Sequence, residues 1–241
     1  MNWYNKWFGT HYYDLLYNQR DEQEAKSFLD QLIKYLKPSS SNCFLDLACG
    51  KGRHSVYLNS CGYDVTGIDL SPQNIEHCKQ FENPHLHFYV HDMRRILSAN
   101  SFNYILNLFT SFGYFERSHH NQLAISAAAA ALKSQGILVI DFFNAVKVMN
   151  NLVPYHKKKI QHLEFEISKK MEHNYIIKTI KVTDDNAEKF FYEKVQALTL
   201  NDFERFLTQA NLSVVDLFGD YQLNNFDAQN SDRLIIIAQK K

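Results

Sequence analysis

The stretch CFLDLACGKGRHS, residues 43–55, decides the fold of this chain. Its apolar beginning predicts a buried strand, its two glycines predict a tight turn, and the residues after Gly52 predict a helix. The free backbone N–H groups at the start of a helix attract anions, so a turn of this kind commonly holds phosphate. Asp46, however, stands just before the glycines, and its carboxylate would repel a phosphate. The stretch therefore indicates a ligand with different charges.

Strands and helices alternate on both sides of this stretch. Apolar runs predict strands, and the segments between them predict helices: strands at 43–48, 64–69, 86–91, 102–108 and 136–142, and helices at 53–60, 72–81 and 118–133. Nearly continuous apolar strands that alternate with helices are typical of a parallel sheet covered on both faces. The chain therefore predicts a doubly wound α/β fold, in which ligands bind at the carboxyl ends of the strands.

Three segments lie outside this alternating core. The first begins with an aromatic run and continues into an amphipathic helix, which Asp21 and Glu24 could start as a capping box. The second has a period-two pattern, which predicts about three antiparallel strands. The third predicts one helix and two strands. We therefore expect a single domain with four parts: an N-terminal helical lid (1–37), a cofactor-binding core (42–150), an antiparallel β insertion on the substrate side (152–200), and a completion of the sheet (201–241).

The composition narrows the possible partners. The chain has 241 residues, with 26 Lys and Arg against 26 Asp and Glu. Nucleic-acid binding usually requires a basic excess, so a small-molecule substrate is expected rather than nucleic acid. No run approaches the roughly 18 apolar residues of a transmembrane helix, and the N-terminus lacks the pattern of a signal peptide. The four cysteines contain no CxxC pair and predict free, buried thiols, so we expect a cytoplasmic protein without membrane contact.

Acidic residues end three successive predicted strands. Asp69 follows the second strand, where a carboxylate can accept hydrogen bonds from both hydroxyls of a ribose. Asp92 follows the third, where it can accept from the amino group of adenine while the backbone N–H of Met93 donates to the ring. Asp46, close to helix N–H groups, suits a ligand end that carries both an ammonium and a carboxylate. These features fit S-adenosylmethionine, although the ribose feature alone fits NAD equally.

The ordered set of motifs resembles the class I S-adenosylmethionine-dependent methyltransferases. The segments FLDLACGKGRHS, GIDLS, HDMR, FNYILNLFTSFGYF and GILVIDFFN occur in the family's order over about residues 42–144, and SDRLIIIAQKK is similar to the family's final strand. The resemblance implies a Rossmann-like, mostly parallel seven-stranded sheet with an antiparallel last strand, plus a small antiparallel β insertion.

The resemblance also implies the cofactor, S-adenosylmethionine, and the residues that bind it. The implied cofactor-binding residues are Asp46, Ala48, Cys49, Gly50, Gly52, Asp69, Leu70, Asp92, Met93 and Leu108. The family usually has glycine at position 48, and alanine is compatible there if its φ is negative. In resembling enzymes a leading helix with a Tyr-Asp pair covers the cofactor, so Tyr13 is expected in the substrate pocket. The TSFGYF motif after the fourth strand points at the same cleft, so Phe112 is expected there too.

Methyl transfer to a small-molecule acceptor is the function that these residues favour, with O- and N-methylation both open. No residue declares itself as the general base. Arg53, which begins a helix, is expected to be solvated or paired with an acid. No metal site is expected, because the histidines on the third strand lack partners at ligand spacing. Two alternatives stay open: an NAD-dependent Rossmann oxidoreductase, disfavoured because Ser55 replaces the third glycine of GxGxxG, and a non-catalytic cofactor-binding module.

Overall fold

The computed structural model describes residues 7–17, 22–117, 119–185 and 187–241. In chain order its elements are α1 (His11–Tyr17), α2 (Glu22–Leu36), β1 (Cys43–Leu47), α3 (Arg53–Ser60), β2 (Asp64–Asp69), α4 (Pro72–Cys78), a 3₁₀ turn (Lys79–Phe81), β3 (Leu86–Val90), β4 (Phe102–Asn107), α5 (His119–Ala131), β5 (Leu132–Phe143), α6 (Ala145–Asn150), β6 (Tyr155–Ile160), β7 (Leu163–Glu172), β8 (Tyr175–Asp184), β9 (Ala187–Gln196), α7 (Leu200–Gln209), β10 (Leu212–Phe218) and β11 (Arg233–Lys240).

A seven-stranded sheet forms the centre of the molecule. Its strands lie in the order β10-β11-β5-β4-β1-β2-β3. The strand β11 runs antiparallel to both of its neighbours, whereas the other neighbouring pairs run parallel. This arrangement confirms the predicted doubly wound, mostly parallel sheet with an antiparallel last strand.

Helices cover both faces of the sheet because every central strand is apolar on both sides. On one face, α5 and α7 pack against the sheet through residues such as Ile125 and Phe203. On the other face, α2, α3 and α4 do so through residues such as Phe28, Leu58 and Ile75. Full burial of each such side chain stabilises the fold by about 1.5–3 kcal/mol. These two layers fix the carboxyl ends of β1 to β4 at one edge, where the loops of the candidate site begin.

The insertion forms a separate antiparallel sheet in the order β6-β7-β8-β9. It contains four strands, so the prediction of about three was one short. The strand that was missed is β6, whose sequence YHKKKI has no buried residue and therefore lacks the apolar alternation that reveals a strand. The inner face of this sheet packs against the N-terminal segment, where Trp7 and Leu16 contact Phe165 and its apolar neighbours.

Two smaller expectations concern helix starts and thiols. Asp21, the residue expected to cap α2, lies outside the described residues. All four cysteines are free, but only Cys49 and Cys78 are buried. The expectation that all would be buried was wrong for Cys43, which is half-buried, and for Cys61, which is exposed because it ends α3 at a surface turn. Among the described helices, none combines the length and apolar character needed to cross a membrane.

Candidate active site

One cavity opens where the carboxyl ends of β1 to β4 meet the N-terminal segment, with a volume of about 490 Å³. The sequence-predicted residues that line it are Tyr13, Asp46, Ala48, Cys49, Gly50, Asp69, Leu70, Asp92, Met93, Leu108 and Phe112. Of the predicted residues, all of which lie in the described part of the chain, Gly52 alone is not in this lining. A Cβ at Gly52 would lie 3.0 Å from the Cys78 Sγ atom and from the Phe88 ring. Its place indicates close packing of α3 rather than contact with a ligand.

Asp46 lies almost completely buried at the end of β1. Its carboxylate is 1% exposed and accepts a 2.7 Å hydrogen bond from the Ser55 hydroxyl. Burial raises the pKa of Asp46 to about 7, although the hydrogen bond from Ser55 opposes that rise. Burial disfavours the ionised form of the carboxyl group, so a cation brought beside Asp46 would stabilise the carboxylate.

The turn after Asp46 has an unusual backbone. Gly50 has φ +58°, and a Cβ placed on it would meet no atom within 4 Å, so its backbone faces open space in the cavity. Ala48 has φ +58°, so the condition under which alanine is compatible with this position, a negative φ, is not met. The left-handed conformation costs a residue with a Cβ about 1–2 kcal/mol. A 2.9 Å bond from Cys49 N–H to the Ile68 carbonyl ties this turn to β2.

Asp69, at the end of β2, is held from both sides. The Gly50 N–H donates to its Oδ2 atom at 3.0 Å, and the Ser71 N–H donates to its Oδ1 atom at 2.8 Å. A third, longer bond of 3.5 Å runs from the Asn74 side-chain amide to Oδ1. An ionised carboxylate has about four acceptor positions, so these bonds orient the group and leave one position open, on Oδ2. The geometry suits a ligand hydroxyl.

Asp92, at the end of β3, already has a cationic partner. The Arg94 Nε atom lies 2.9 Å from Oδ1 and 3.0 Å from Oδ2 of Asp92, and the Arg94 N–H donates to Oδ1 at 3.0 Å. Burial alone would raise the pKa of Asp92, but the hydrogen bonds and charge of Arg94 outweigh it and lower the pKa. The HDMR motif contains Arg94, for which the sequence predicted no role. The sequence signal for this pairing was an arginine two residues after the acid that ends the strand.

Arg53 and His54, directly after the glycine turn, both line the cavity. The His54 ring stacks on the Phe109 ring with centroids 5.0 Å apart, and the Arg53 guanidinium lies 4.9 Å from the same ring. Burial and the charge of Arg53 lower the pKa of His54 to about 3, so His54 is neutral at physiological pH. The prediction of a solvated or acid-paired Arg53 missed this aromatic contact, because Phe109 lies on a different loop.

The N-terminal segment forms the aromatic side of the cavity. The rings of Phe8 and Tyr13 have centroids 5.0 Å apart, those of Tyr13 and Tyr17 4.8 Å, and those of Phe8 and Tyr114 5.5 Å. All four line the cavity, and only Tyr13 was predicted. The TSFGYF motif and the aromatic N-terminus were the signals for the others.

The insertion packs against the N-terminal segment on the side away from the cavity. Within the described residues, none of 152–200 lines the cavity. The insertion instead holds the segment through polar anchors: Glu193 accepts hydrogen bonds from the Trp7 indole at 2.7 Å and the Tyr17 hydroxyl at 2.5 Å. On the opposite side, Asp14 pairs with Lys51 of the glycine turn at 2.7 Å.

Comparisons with known proteins agree with this geometry. The family model "Methyltransferase domain" matches residues 44–136. A glycine/sarcosine N-methyltransferase of Halorhodospira halochloris is 27% identical over 91% of this chain and 83% of its own. A dTDP-3-amino-3,4,6-trideoxy-α-D-glucopyranose N,N-dimethyltransferase of Streptomyces venezuelae is 28% identical over only about half of each chain, 54% of this one and 54% of its own.

A solved structure shares the fold over nearly the whole length. The S-adenosylmethionine-dependent methyltransferase of Clostridium acetobutylicum superimposes with a TM-score of 0.79 at 19% identity, covering 95% of this chain and 96% of its own. No comparison supports an NAD-dependent oxidoreductase.

The residues of the cavity fit S-adenosylmethionine. The open space above Gly50 is a cradle that a side chain would fill, and the buried Asp46 carboxylate calls for a cation such as the ammonium of the cofactor. Asp69 retains acceptor capacity for a ribose hydroxyl on Oδ2. Together with the family match over residues 44–136, these features favour the methyltransferase over the oxidoreductase. The chain is similar to the class I S-adenosylmethionine-dependent methyltransferases, and the family match, the relatives and the fold together identify it as a methyltransferase that uses S-adenosylmethionine.

Proposed function

We propose that this enzyme transfers the methyl group of S-adenosylmethionine to an amine nitrogen of a small molecule. The observation that carries the proposal is the aromatic side of the cavity, where Phe8, Tyr13, Tyr17 and Tyr114 come together. Aromatic faces attract ammonium groups within about 6 Å of the ring centroid. The names of the Halorhodospira and Streptomyces relatives describe transfer to amines, glycine or sarcosine in one and an amino sugar in the other.

The order of the strands supports one orientation of the cofactor in the cavity. Along this edge the strands lie in the order β4, β1, β2, β3. We assign the methionine end to Asp46, Ala48, Cys49 and Gly50 after β1, with Leu108 after β4 beneath it. We assign the ribose to Asp69 and Leu70 after β2, and the adenine to Asp92 and Met93 after β3. Gly52 contributes by allowing α3 to begin at this point.

The parts of the domain take complementary roles in this proposal. The core at 42–150 holds the cofactor, and 201–241 completes its sheet. The N-terminal segment acts as the lid over the acceptor, and the insertion at 152–200 is the platform that holds the lid through Glu193 and its neighbours. The zero formal net charge supports a small acceptor rather than nucleic acid, and the free thiols support a reducing, cytoplasmic setting.

The chain's own residues act mainly by positioning. When bound, the cofactor supplies a methyl group on a positively charged sulfur, which needs no further activation. Alignment of the two reactants can contribute about 7–11 kcal/mol. The nitrogen must be unprotonated when it attacks, and a group that removes its proton should have a pKa near the operating pH. His54 does not meet this requirement, because its pKa is lowered to about 3. Because the aromatic side attracts the ammonium form, the proton is released to water after the acceptor has bound and before the nitrogen attacks.

The test is methyl transfer to matched pairs of amines and alcohols on the same carbon skeleton, such as amino sugars with their parent sugars and glycine with glycolate. Formation of S-adenosylhomocysteine and of methylated product is measured by mass spectrometry. We expect turnover with amines only. Turnover with the alcohols at a similar rate, or with neither class, contradicts the proposal.

A pair of tyrosine variants tests the aromatic side directly. Tyr13→Leu should raise the KM for an amine acceptor, because the cavity loses an aromatic face. Tyr192→Leu is the matched control, since Tyr192 lies on the insertion, half exposed and outside the cavity lining. Equal changes in KM for both variants would refute the assignment of the acceptor to the aromatic side.

A further inference from the structure

We propose that the buried Asp141–Arg233 pair is a positioning unit: it holds the two residues after Leu108 in a left-handed backbone conformation and thereby fixes the methionine end of the cofactor cavity. The proposal rests on the cofactor orientation given under the proposed function. It concerns residues outside the cavity lining, on β5 and β11, that act through the loop after β4.

The loop after β4 contains two consecutive residues with positive φ. Phe109 has φ +55° and Thr110 has φ +63°, and neither is glycine. Residues with a Cβ adopt this conformation rarely and only where surrounding contacts offset its energetic cost. The loop also carries Leu108 and Ser111, which line the cavity together with Phe109. An identifiable set of contacts must therefore maintain the conformation of this cavity wall.

Asp141 and Arg233 supply those contacts. The Asp141 Oδ2 atom accepts from the Phe109 N–H at 2.8 Å, and the Asp141 carbonyl accepts from the Thr110 N–H at 2.9 Å. The Arg233 Nη2 atom donates to the Thr110 hydroxyl at 3.0 Å. The pair is closed by a 2.7 Å bond from Arg233 Nε to Asp141 Oδ1. Both residues of the pair therefore bind the left-handed segment directly.

The pair is deeply buried, which makes a purely stabilising role a poor explanation. Asp141 is 0% exposed and Arg233 9% exposed. Moving two charges out of water costs about as much as their attraction returns, so buried pairs are weak contributors to stability and can instead specify a conformation. Tyr221 adds a third donor, with its hydroxyl 3.3 Å from Asp141 Oδ2. The antiparallel strand β11 thus reaches the active-site loop through Arg233.

The left-handed segment, Phe109 and Thr110, contacts the start of α3 through the Phe109 ring. Phe109 stacks on His54 at 5.0 Å between centroids and lies 4.9 Å from the Arg53 guanidinium. All three line the cavity at the β4 and β1 end, beside Asp46 and away from Asp92. Displacement of Phe109 would therefore disturb the methionine end and leave the adenine end in place.

Binding of the whole cofactor and of its adenosine fragment separates these two ends. Arg233→Lys keeps a positive charge opposite Asp141, but one ammonium cannot span both Asp141 and Thr110 as a guanidinium does. Calorimetry with this variant should show S-adenosylmethionine binding weakened by about tenfold and adenosine binding changed by less than about twofold. Equal weakening of both ligands, or no change in either, would overturn the proposal.

A second substitution tests whether the Asp141–Arg233 pair offsets the backbone strain at Thr110. Thr110→Gly removes the Cβ, so the left-handed conformation no longer needs support. Added to Arg233→Lys, it should recover most of the lost S-adenosylmethionine affinity. Gln135→Gly is the matched control, because Gln135 has φ +61° but lies near the start of β5, at the opposite end of the sheet. Recovery with both glycine substitutions, or with neither, contradicts the positioning role.

Two further variants keep the test decisive. If Arg233→Lys does not fold, Thr110→Val removes only the hydroxyl that Arg233 contacts and should weaken S-adenosylmethionine selectively by a smaller factor; a loss shared with adenosine, or none, refutes the unit. Asp69→Ala should weaken both ligands, since both contain the ribose. If it weakens neither, the proposed cofactor orientation fails, whereas the contrast between the two ligands in Arg233→Lys still reports on the pair.

Discussion

Two carboxylates occupy corresponding strand ends on the two sides of the cavity, yet their surroundings shift their pKa values in opposite directions. Asp46, after β1, is 1% exposed, and burial raises its pKa to about 7. Asp92, after β3, is partly exposed, and Arg94 lowers its pKa even though burial opposes that effect. Among the described residues, Asp92 is ion-paired with Arg94, whereas Asp46 has no ion pair and Arg53 acts on it only through its charge. In the proposed orientation, the methionine end therefore suits a charged ligand group and the adenine end a neutral one.

Asp46→Asn should produce the largest effect on this contrast. The amide can still accept the hydrogen bond from Ser55, but it no longer attracts an ammonium. We expect S-adenosylmethionine affinity to fall by about 1.5–3 kcal/mol, the range for hydrogen bonds to charged groups. Asp92→Asn is the matched control at the other end, and calorimetry on both variants should show a smaller loss there. Equal losses of S-adenosylmethionine affinity in the two variants would contradict the inferred difference between Asp46 and Asp92.

The pH dependence of binding follows from the same two groups. Because the pKa of Asp46 is raised to about 7, the affinity for the positively charged cofactor should rise as the pH increases through about 7. Asp46→Asn should flatten this rise, whereas Asp92→Asn should leave it in place, since the pKa of Asp92 is lowered. Binding constants measured between about pH 5 and pH 9 test this. A profile that Asp46→Asn does not change would assign the titration to another group.

The stability of the cofactor-free protein should change with pH in the opposite sense. The folded state binds the Asp46 proton more tightly than the unfolded chain does, because folding raises the pKa from 3.8 to about 7. This contribution to the free energy of unfolding is fully present below about pH 4 and is lost as the pH rises through about 7. Asp46→Asn should remove that loss. Denaturant titrations at several pH values would contradict the burial argument if the two proteins behaved alike.

The part of the site that the sequence predicted is the part built from local patterns. Asp46, Asp69 and Asp92 could be found because each follows an apolar run, and strands of a parallel sheet bring their carboxyl ends to one edge. The mostly parallel sheet with its antiparallel last strand followed from the same alternation and from the resemblance of the motifs. The antiparallel insertion was harder to predict, since the edge strand β6 has polar residues throughout and no buried face.

The rest of the site depends on contacts between residues that are distant in sequence. Arg233 reaches Thr110 across 123 positions, and Phe109 meets His54 from a different loop. No spacing rule predicts such pairs. The sign of φ at Ala48 was also not predicted by the pattern, since the turn is tied to Ile68, which lies on another strand.

Ala48→Gly is expected to have a smaller effect, on stability rather than on charge. Glycine relieves the left-handed strain of about 1–2 kcal/mol, but its unfolded state gains about 0.4–1 kcal/mol of conformational freedom. We therefore expect the free energy of unfolding to increase by roughly 0.5–1 kcal/mol, measured by denaturant titration. Gly50→Ala is the reverse substitution at the same φ of +58° and should destabilise. If Ala48→Gly destabilised the protein as well, strain at position 48 would be excluded.

The smallest expected effect concerns Arg94, the cation beside Asp92 at the proposed adenine end. The Arg94 guanidinium lies 5.3 Å from the centre of the Phe115 ring. Arg94→Met keeps an unbranched side chain against that ring but removes the positive charge beside Asp92. The pair is partly exposed, so its loss should change stability by less than about 1 kcal/mol. Two consequences follow if Arg94 competes with the adenine amino group: the pKa of Asp92 should rise, and adenosine should bind slightly more tightly. Weaker adenosine binding would show instead that Arg94 orients Asp92 for the ligand. Binding at the proposed adenine end would then require the Asp92–Arg94 ion pair, whereas binding at the proposed methionine end requires an Asp46 carboxylate that is not ion-paired.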